Sequence, residues 1–363
     1  MLRNLKVLDF TTLLPGPYAT FLLASMGAKV TKVSAPGKFD LVLEGGPRAS
    51  NGETANRIWL HHHKEEVFVD LKSEEGLTKI LNMLKAGEYN CVFEQFRPGV
   101  MEKLGLGYET VKKLVPDIVY VSISGYGQEG AYAHRAGHDI NYLALSGSMS
   151  YSGRVSHGPE LYGMQVADVA AAQNAVIGAL AAHNQRILNG EGTHVDVAIL
   201  DSVIPFNAMS GVGTMMSGEN PQRENQLLNG GSLYDFYPTS DGGYMSVGAL
   251  EPKFWAEFCR VMGHLDWIEA GCACEDFQEK KAILREEFGK NTRAYWSEIF
   301  AGVDACVEPV LSVTEALLDW NNARERGSVV NAVAEEETGS NFKDGKNYAE
   351  DEIWIYGNPI KFR

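Results

Sequence analysis

Leu5-Lys6-Val7-Leu8-Asp9-Phe10, Leu14-Pro15-Gly16-Pro17 and Ala28-Lys29-Val30-Thr31-Lys32-Val33 decide the fold. The first and last have the length and apolar character of strands. Between them Leu14 to Pro17 breaks the chain, and Tyr18 to Met26 reads as a helix. Strand, helix and strand in so short a span is the unit from which mostly parallel sheets are wound.

The alternation continues downstream. Val67-Phe68-Val69-Asp70-Leu71 predicts another strand. Ser73-Glu74-Glu75 follows as an N-cap with acids in the first turn, opening a helix to about Lys85. Tyr89 to Phe93 and Ile118 to Ile123 are further buried strands. Val166 to Leu188 is long, Ala-rich and helical, ends at Asn189-Gly190-Glu191-Gly192, and leads into the strand Val195-Asp196-Val197-Ala198. The expected fold class is α/β, with a large Rossmann-like parallel-sheet domain over residues 1–200, completed by 326–363. Residues 201–232 are expected to be a linker, since 208–232 are rich in Gly, Ser, Asn and Met. A smaller α+β domain spans 233–312. It opens with a hairpin whose runs, Tyr234 to Tyr237 and Tyr244 to Val247, flank Asp241-Gly242-Gly243. Helices from Pro252 to about Phe300 complete it, and 313–325 form a return linker. Residues 334–352 are polar and acidic and are expected on the surface.

Composition excludes some functions. A chain of 363 residues can bury a large core and divide in two. Its formal net charge of −15 argues against nucleic-acid binding, which needs a basic face. It leaves room for a local basic pocket around a phosphorylated small molecule. No apolar run approaches the roughly 18 residues of a membrane span. Met1 to Val7 passes straight into a strand-like run without the regions of a signal peptide. The five cysteines are an odd number without metal-like pairing, and Cys272-Ala273-Cys274 is too tight for a zinc knuckle. A reduced, cytoplasmic protein is expected.

Candidate chemistry centres on Gly137-His138-Asp139-Ile140-Asn141-Tyr142. It places a histidine and a carboxylate at a loop-to-helix junction, where proton-transfer groups are often found. The preceding Gly125-Tyr126-Gly127-Gln128-Glu129-Gly130 matches GxGxxG in form, but a dinucleotide site needs the helix to begin within that loop. Residues 131–137 are polar and interrupted, so a turn that positions His138 is the better reading. Asp168 lies among Val166, Ala167, Val169 and Ala170 at a helix start. A carboxylate there needs a partner or a purpose, since burying charge is costly. Desolvation would also raise its pKa, which suits an acid or a leaving nucleophile. The plain alternative is a helix cap. Glu251, before Pro252, is an N-cap or a site acid. Arg97, held in Phe96-Arg97-Pro98-Gly99, is an anion clamp or a surface residue. His61-His62-His63 is read as a solvated loop, because neighbouring side chains diverge. HExxH, GxxxxGK[ST] and GxSxG are absent.

In order and spacing the motifs resemble the family III coenzyme A transferases. The resemblance rests on Val7 to Thr11 with Leu14 to Pro17, and on Phe96 to Met101 with Leu104 to Tyr108. Gly190 to Val197 and Leu200-Asp201 carry it further. Gly137 to Tyr142 and Gly248-Ala249-Leu250-Glu251-Pro252 are most similar to the α-methylacyl-CoA racemases within that family. Two stretches depart from the pattern: Met164 stands where the racemases carry Asn, and His61-His62-His63-Lys64 stands where the family often has Asn-Arg-x-Lys. The resemblance implies racemisation at the α-carbon of a 2-methyl-branched acyl-CoA, with His138 and Asp168 as the proton-transfer pair and Glu251 orienting His138. Arg97, Lys72, Gly137, Asp139 and Tyr142 would contact the substrate or its CoA. It implies a homodimer of interlocked chains, and coenzyme A present only as part of the substrate. No metal or redox cofactor is expected. The alternatives are a transferase working through an aspartyl-CoA thioester on Asp168, and a non-catalytic acyl-CoA-binding subunit.

Overall fold

Six parallel strands are laid down in the order β3-β2-β1-β4-β5-β6, in a computed structural model that describes residues 1–319, 321–332 and 353–362. The acidic stretch 334–352 lies outside the described residues. The first elements are β1 (Lys6–Asp9), α1 (Pro15–Ser25), β2 (Lys29–Ser34), α2 (Ala55–Leu60), β3 (Lys64–Phe68), α3 (Glu74–Lys85) and β4 (Cys91–Glu94). Then come α4 (Val100–Lys103), α5 (Tyr108–Leu114), β5 (Val119–Ser124), α6 (Asp139–Leu145), α7 (Val166–Asn189), β6 (Thr193–Ala198) and α8 (Ile199–Val203). Strands β4 and β5 are buried along their whole length, as strands covered on both faces must be. The sheet reverses direction between β1 and β4, where Val7 pairs with both Val30 and Cys91. Ligand crevices form at such a reversal, beyond the carboxyl ends of the strands.

Local chemistry explains the elements. Pro15 and Pro17 do not break α1; they lie in its first turn, where a missing N–H costs nothing. Ser73 caps α3 by accepting the Gly76 N–H at 3.0 Å. The buried face of α7 is Ala167, Ala171, Ala172, Ala175 and Ala179, and such small side chains let the helix lie close to its neighbours. Gly178 is required there, since a Cβ would come 2.6 Å from Val195. One expected strand is displaced: β3 is Lys64–Phe68 instead of Val67 to Leu71. It ends when β2 ends, with Ser34 opposite Phe68. As an edge strand it tolerates Glu65 and Glu66, while Lys64 turns inward to Asp9; the expectation of a uniformly apolar run passed over these charges.

The described residues of 1–146, 162–205 and 320–363 form one compact unit, and 147–161 with 206–319 form a second. The second holds α9 (Gly211–Ser217), β7 (Asp235–Pro238), β8 (Tyr244–Val247), α10 (Pro252–Met262), α11 (Phe277–Phe288), α12 (Arg293–Phe300) and β9 (Val307–Pro309). Strands β7 and β8 are the expected hairpin, and β9 adds a third antiparallel strand that the sequence reading missed. Trp255, Phe258, Phe288 and Phe300 build its core, with Cys272 and Cys274 packed among them as free thiols. Residues 147–161 were assigned to the large domain and 206–232 to a linker; both are grouped with the second unit. Arg154 shows why: it pairs with Glu224 at 3.1 Å and with Asp235. The first unit closes with α13 (Asn321–Glu325) and the antiparallel pair β10 (Val329–Asn331) and β11 (Trp354–Tyr356).

A fully buried charge cluster lies at the end of β1. The Asp9 carboxylate accepts bonds from the Thr11 N–H at 2.8 Å, the Thr11 hydroxyl at 2.6 Å and the Thr20 hydroxyl at 2.5 Å. Lys64 reaches it at 3.4 Å and also donates to the Pro17 carbonyl at 2.9 Å. Lys32 donates to the Thr11 carbonyl. Burial pushes the Lys64 ammonium down to about 8. Burial also pushes Asp9 upward, but Lys32, Lys64 and the two threonines outweigh it and hold the carboxyl below its ordinary value. The neighbouring histidines are not a solvated loop. His61 and His62 are each 6% exposed, because the turn after α2 folds inward against β3. Burial pushes His61 down to about 4, and its Nδ1 lies 3.8 Å from Glu66, too far for a hydrogen bond.

Candidate active site

The loop that follows β5 carries the Gly-rich run, and no helix starts within it. The next helix is α6, with His138 as its N-cap residue in extended conformation. The His138 N–H donates to Asn141 Oδ1 at 3.0 Å, which closes the first turn from below. One residue earlier, the Gly137 carbonyl accepts the Tyr142 hydroxyl at 2.8 Å. The fit leaves no room for a side chain. A Cβ on Gly137 would stand 2.7 Å from the Tyr126 hydroxyl and 2.8 Å from the Tyr142 ring, and one on Gly125 2.6 Å from the Tyr142 hydroxyl. Tyr126 meets Tyr142 edge-on, centroids 5.3 Å apart. His138 itself is exposed.

Asp168 arrives from the first turn of α7. Its own N-cap residue, Gln165, makes no side-chain cap bond. The cap comes from Asp139 instead, whose Oδ1 accepts the N–H of Ala167 at 2.7 Å and of Asp168 at 3.2 Å. Burial first, and then the charge of Asp139, push Asp168 up to about 7. Asp139 is itself raised by burial, against the pull of those two amides. Burial and the neighbouring Tyr126 and Asp168 push Tyr142 up to about 12, so its phenol stays protonated.

His138 and Asp168 line one cavity of about 270 Å³ together with Arg97, Arg135, Gly137 and Tyr142. Gln95 also lines it, and its Oε1 accepts the Gly16 N–H at 2.9 Å. The buried Glu94 holds the turn into Arg97 by accepting the Phe96 N–H at 2.8 Å. A larger cavity of about 970 Å³ opens at the carboxyl ends of β1, β2 and β3. Its lining holds Lys38 and Lys72 beside Asp40, Glu44 and Asp70, with Arg57 paired to Glu44 and Glu66, and Phe39, Leu41 and Phe68 give it exposed apolar walls. Leu13 and Phe96 line both cavities.

The sequence-predicted residues therefore separate into groups. His138, Asp168, Arg97, Gly137 and Tyr142 share the smaller cavity. Lys72 lines the larger one. Asp139 spends one carboxylate oxygen on α7, and the Tyr142 hydroxyl donates to the Gly137 carbonyl, which leaves its oxygen able to accept. Glu251 is in the second unit, exposed, as the N-cap residue of α10. Its side chain makes no capping bond, so the cap alternative accounts only for its backbone. Arg135 and Gln95 were missed. Arg135 sits three residues before His138, which is a signal, but its guanidinium direction comes from packing over Tyr132 at 4.3 Å. Among the described residues no group of three His, Cys, Asp or Glu is arranged to hold a metal ion, and no helix is long and apolar enough to cross a membrane.

The family described as CoA-transferase family III matches residues 2–345. The chain is 34% identical over 333 residues to the alpha-methylacyl-CoA racemase of Mus musculus, covering 91% of this chain and 82% of that protein. It is 31% identical over 262 residues to a succinyl-CoA–D-citramalate CoA-transferase of Chloroflexus aurantiacus, covering 72% of this chain and 65% of that protein. The crystal structure of a CaiB/BaiF family protein from Brucella suis shares the fold, with a TM-score of 0.81 at 24% identity over 99% of this chain and 92% of that one. A match that begins at the first strand and runs through both units leaves one conclusion: the chain belongs to CoA-transferase family III.

Proposed function

We propose that the protein racemises the α-carbon of a 2-methyl-branched acyl-CoA thioester. The observation that carries this reading is His138 and Asp168 facing one cavity, with Asp168 raised to about 7. A carboxyl poised there can both take and return a proton near neutral pH. One group removes the α-proton and leaves its electron pair in an enolate. The other delivers a proton to the opposite face, and the roles exchange for the other enantiomer. Developing charge on the thioester oxygen would be met by backbone N–H groups at the start of α6. The larger cavity suits the nucleotide end of CoA, with Lys38 and Lys72 toward its phosphates, and Arg97 lines the smaller cavity next to Phe96, which lines both. Glu251 would orient His138 across a dimer. Strongly exposed apolar side chains support an interlocked homodimer: Met209 is 82% exposed, Met215 80% and Met216 86%. A monomer in light scattering would remove that part of the proposal.

The second reading, CoA transfer through Asp168, draws support from the named activity of the Chloroflexus relative. The His138 imidazole on the same cavity, which transfer through a carboxylate does not require, favours proton exchange over it. The test is proton NMR of a 2-methylacyl-CoA in heavy water without a carboxylate acceptor. Loss of the α-proton signal, abolished in His138→Ala and in Asp168→Ala, is expected. Absence of exchange, with CoA moving once carboxylates are supplied, would replace racemisation by transfer.

A further inference from the structure

We propose that Asp139 is a positioning residue for Asp168, acting as the N-terminal cap of α7 from another segment of the chain and as the charge that faces the reacting carboxyl. This rests on Asp168 being the reacting group, which the racemase and transferase readings share.

Three observations converge. The cap position of α7 is empty of side-chain bonds, since Gln165 makes none. Asp139 supplies what is missing, taking two of the orphan N–H groups, one of them the amide of Asp168 itself. The third is that, among the described residues, nothing donates to the Asp168 carboxylate, so its position is set through its backbone. Asp139 directly follows His138, and His138 is held through Asn141. Residues 138–141 therefore fix the geometry of both proton-transfer groups at once.

The groups facing Asp168 are few. Asp139 and Tyr142 act from α6, with His138, Arg97 and Arg135 on the same cavity. Among the described residues no charge acts on it from α1, α8, β5 and β6, which surround α7; Asp139 does. Two carboxylates held this close cannot both ionise freely.

Asp139→Asn separates the two roles, because an amide oxygen accepts the same bonds without the charge. Aspartate carboxyls labelled with ¹³C are titrated by NMR, with Asp168→Asn assigning the signal. The Asp168 titration is expected to move to lower pH in Asp139→Asn. Turnover should fall by up to about tenfold in Asp139→Ala, the rate equivalent of the stability that a lost cap takes from a helix, and less in Asp139→Asn. Affinity for free CoA should hold in both. An unmoved Asp168 titration in Asp139→Asn overturns the proposal. So does a weakened CoA affinity with unchanged kcat, which would make Asp139 a substrate contact. If Asp139→Ala fails to fold, Asp139→Asn still decides through the titration. Turnover surviving in Asp168→Ala would remove the reading of Asp168 and leave the titration result standing.

Discussion

Asp9 and Asp168 are both carboxyls withdrawn from water in the same unit, and the molecule drives them in opposite directions. Asp9 has two lysines and two threonine hydroxyls against it and is held below its ordinary pKa. Asp168 has burial and another carboxyl against it and is raised to about 7. Burial alone would raise both; the partners decide the sign. A paired, hydrogen-bonded carboxylate is locked in one protonation state and serves the fold. One left without donors is free to change state, and that is what proton transfer requires.

The sharpest way to break this comparison is to delete each partner set. Asp168→Ala should lower turnover by roughly 10²–10⁴-fold, the usual worth of a general acid or base, while leaving the fold intact. Unchanged turnover would make Asp168 as structural as Asp9. Next is Lys64→Met, which takes from Asp9 one of its two lysines and should cost less in urea unfolding than the about 3–5 kcal/mol of a buried pair broken outright, because Lys32 remains. The double change Asp9→Asn with Lys64→Met should cost less than the sum of the two single changes, because the two groups act on each other. Additive costs would mean that the pair is not coupled.

The smallest effect sharpens the contrast through pH. The folded Asp168 titrates near 7 and the unfolded one near 3.9. Between those values the folded state holds more protons, so this group's contribution to stability falls as pH rises. Asp168→Asn should therefore match the parent near pH 4 and exceed it at pH 8, by about 1 kcal/mol after solvent screening. Asp9→Asn should destabilise at both. A stabilisation of Asp168→Asn that grows toward acid would reverse the assigned direction.

Much was legible in the chain because local chemistry wrote it. The Ser73 cap, the Asp-Gly hairpin and the Ala face of α7 each follow from rules that span a few residues. Strand β3 was misplaced because an edge strand obeys its neighbour's length more than its own hydrophobicity. His61 and His62 looked solvated because their composition says nothing of which way a turn folds.

By itself the sequence determined the α/β alternation, the parallel sheet, the family, and His138 and Asp168 as candidates, since periodicity, turn residues and ordered motifs are one-dimensional signals. Only the tertiary structure decided that Asp139 caps a helix 27 residues further on, at Val166, that Tyr142 holds Gly137, that Arg135 joins the cavity, and that Asp9 and Asp168 titrate apart. Those are facts about which groups meet across the fold, and electrostatics and hydrogen bonding depend on distance in space, which spacing along the chain does not encode.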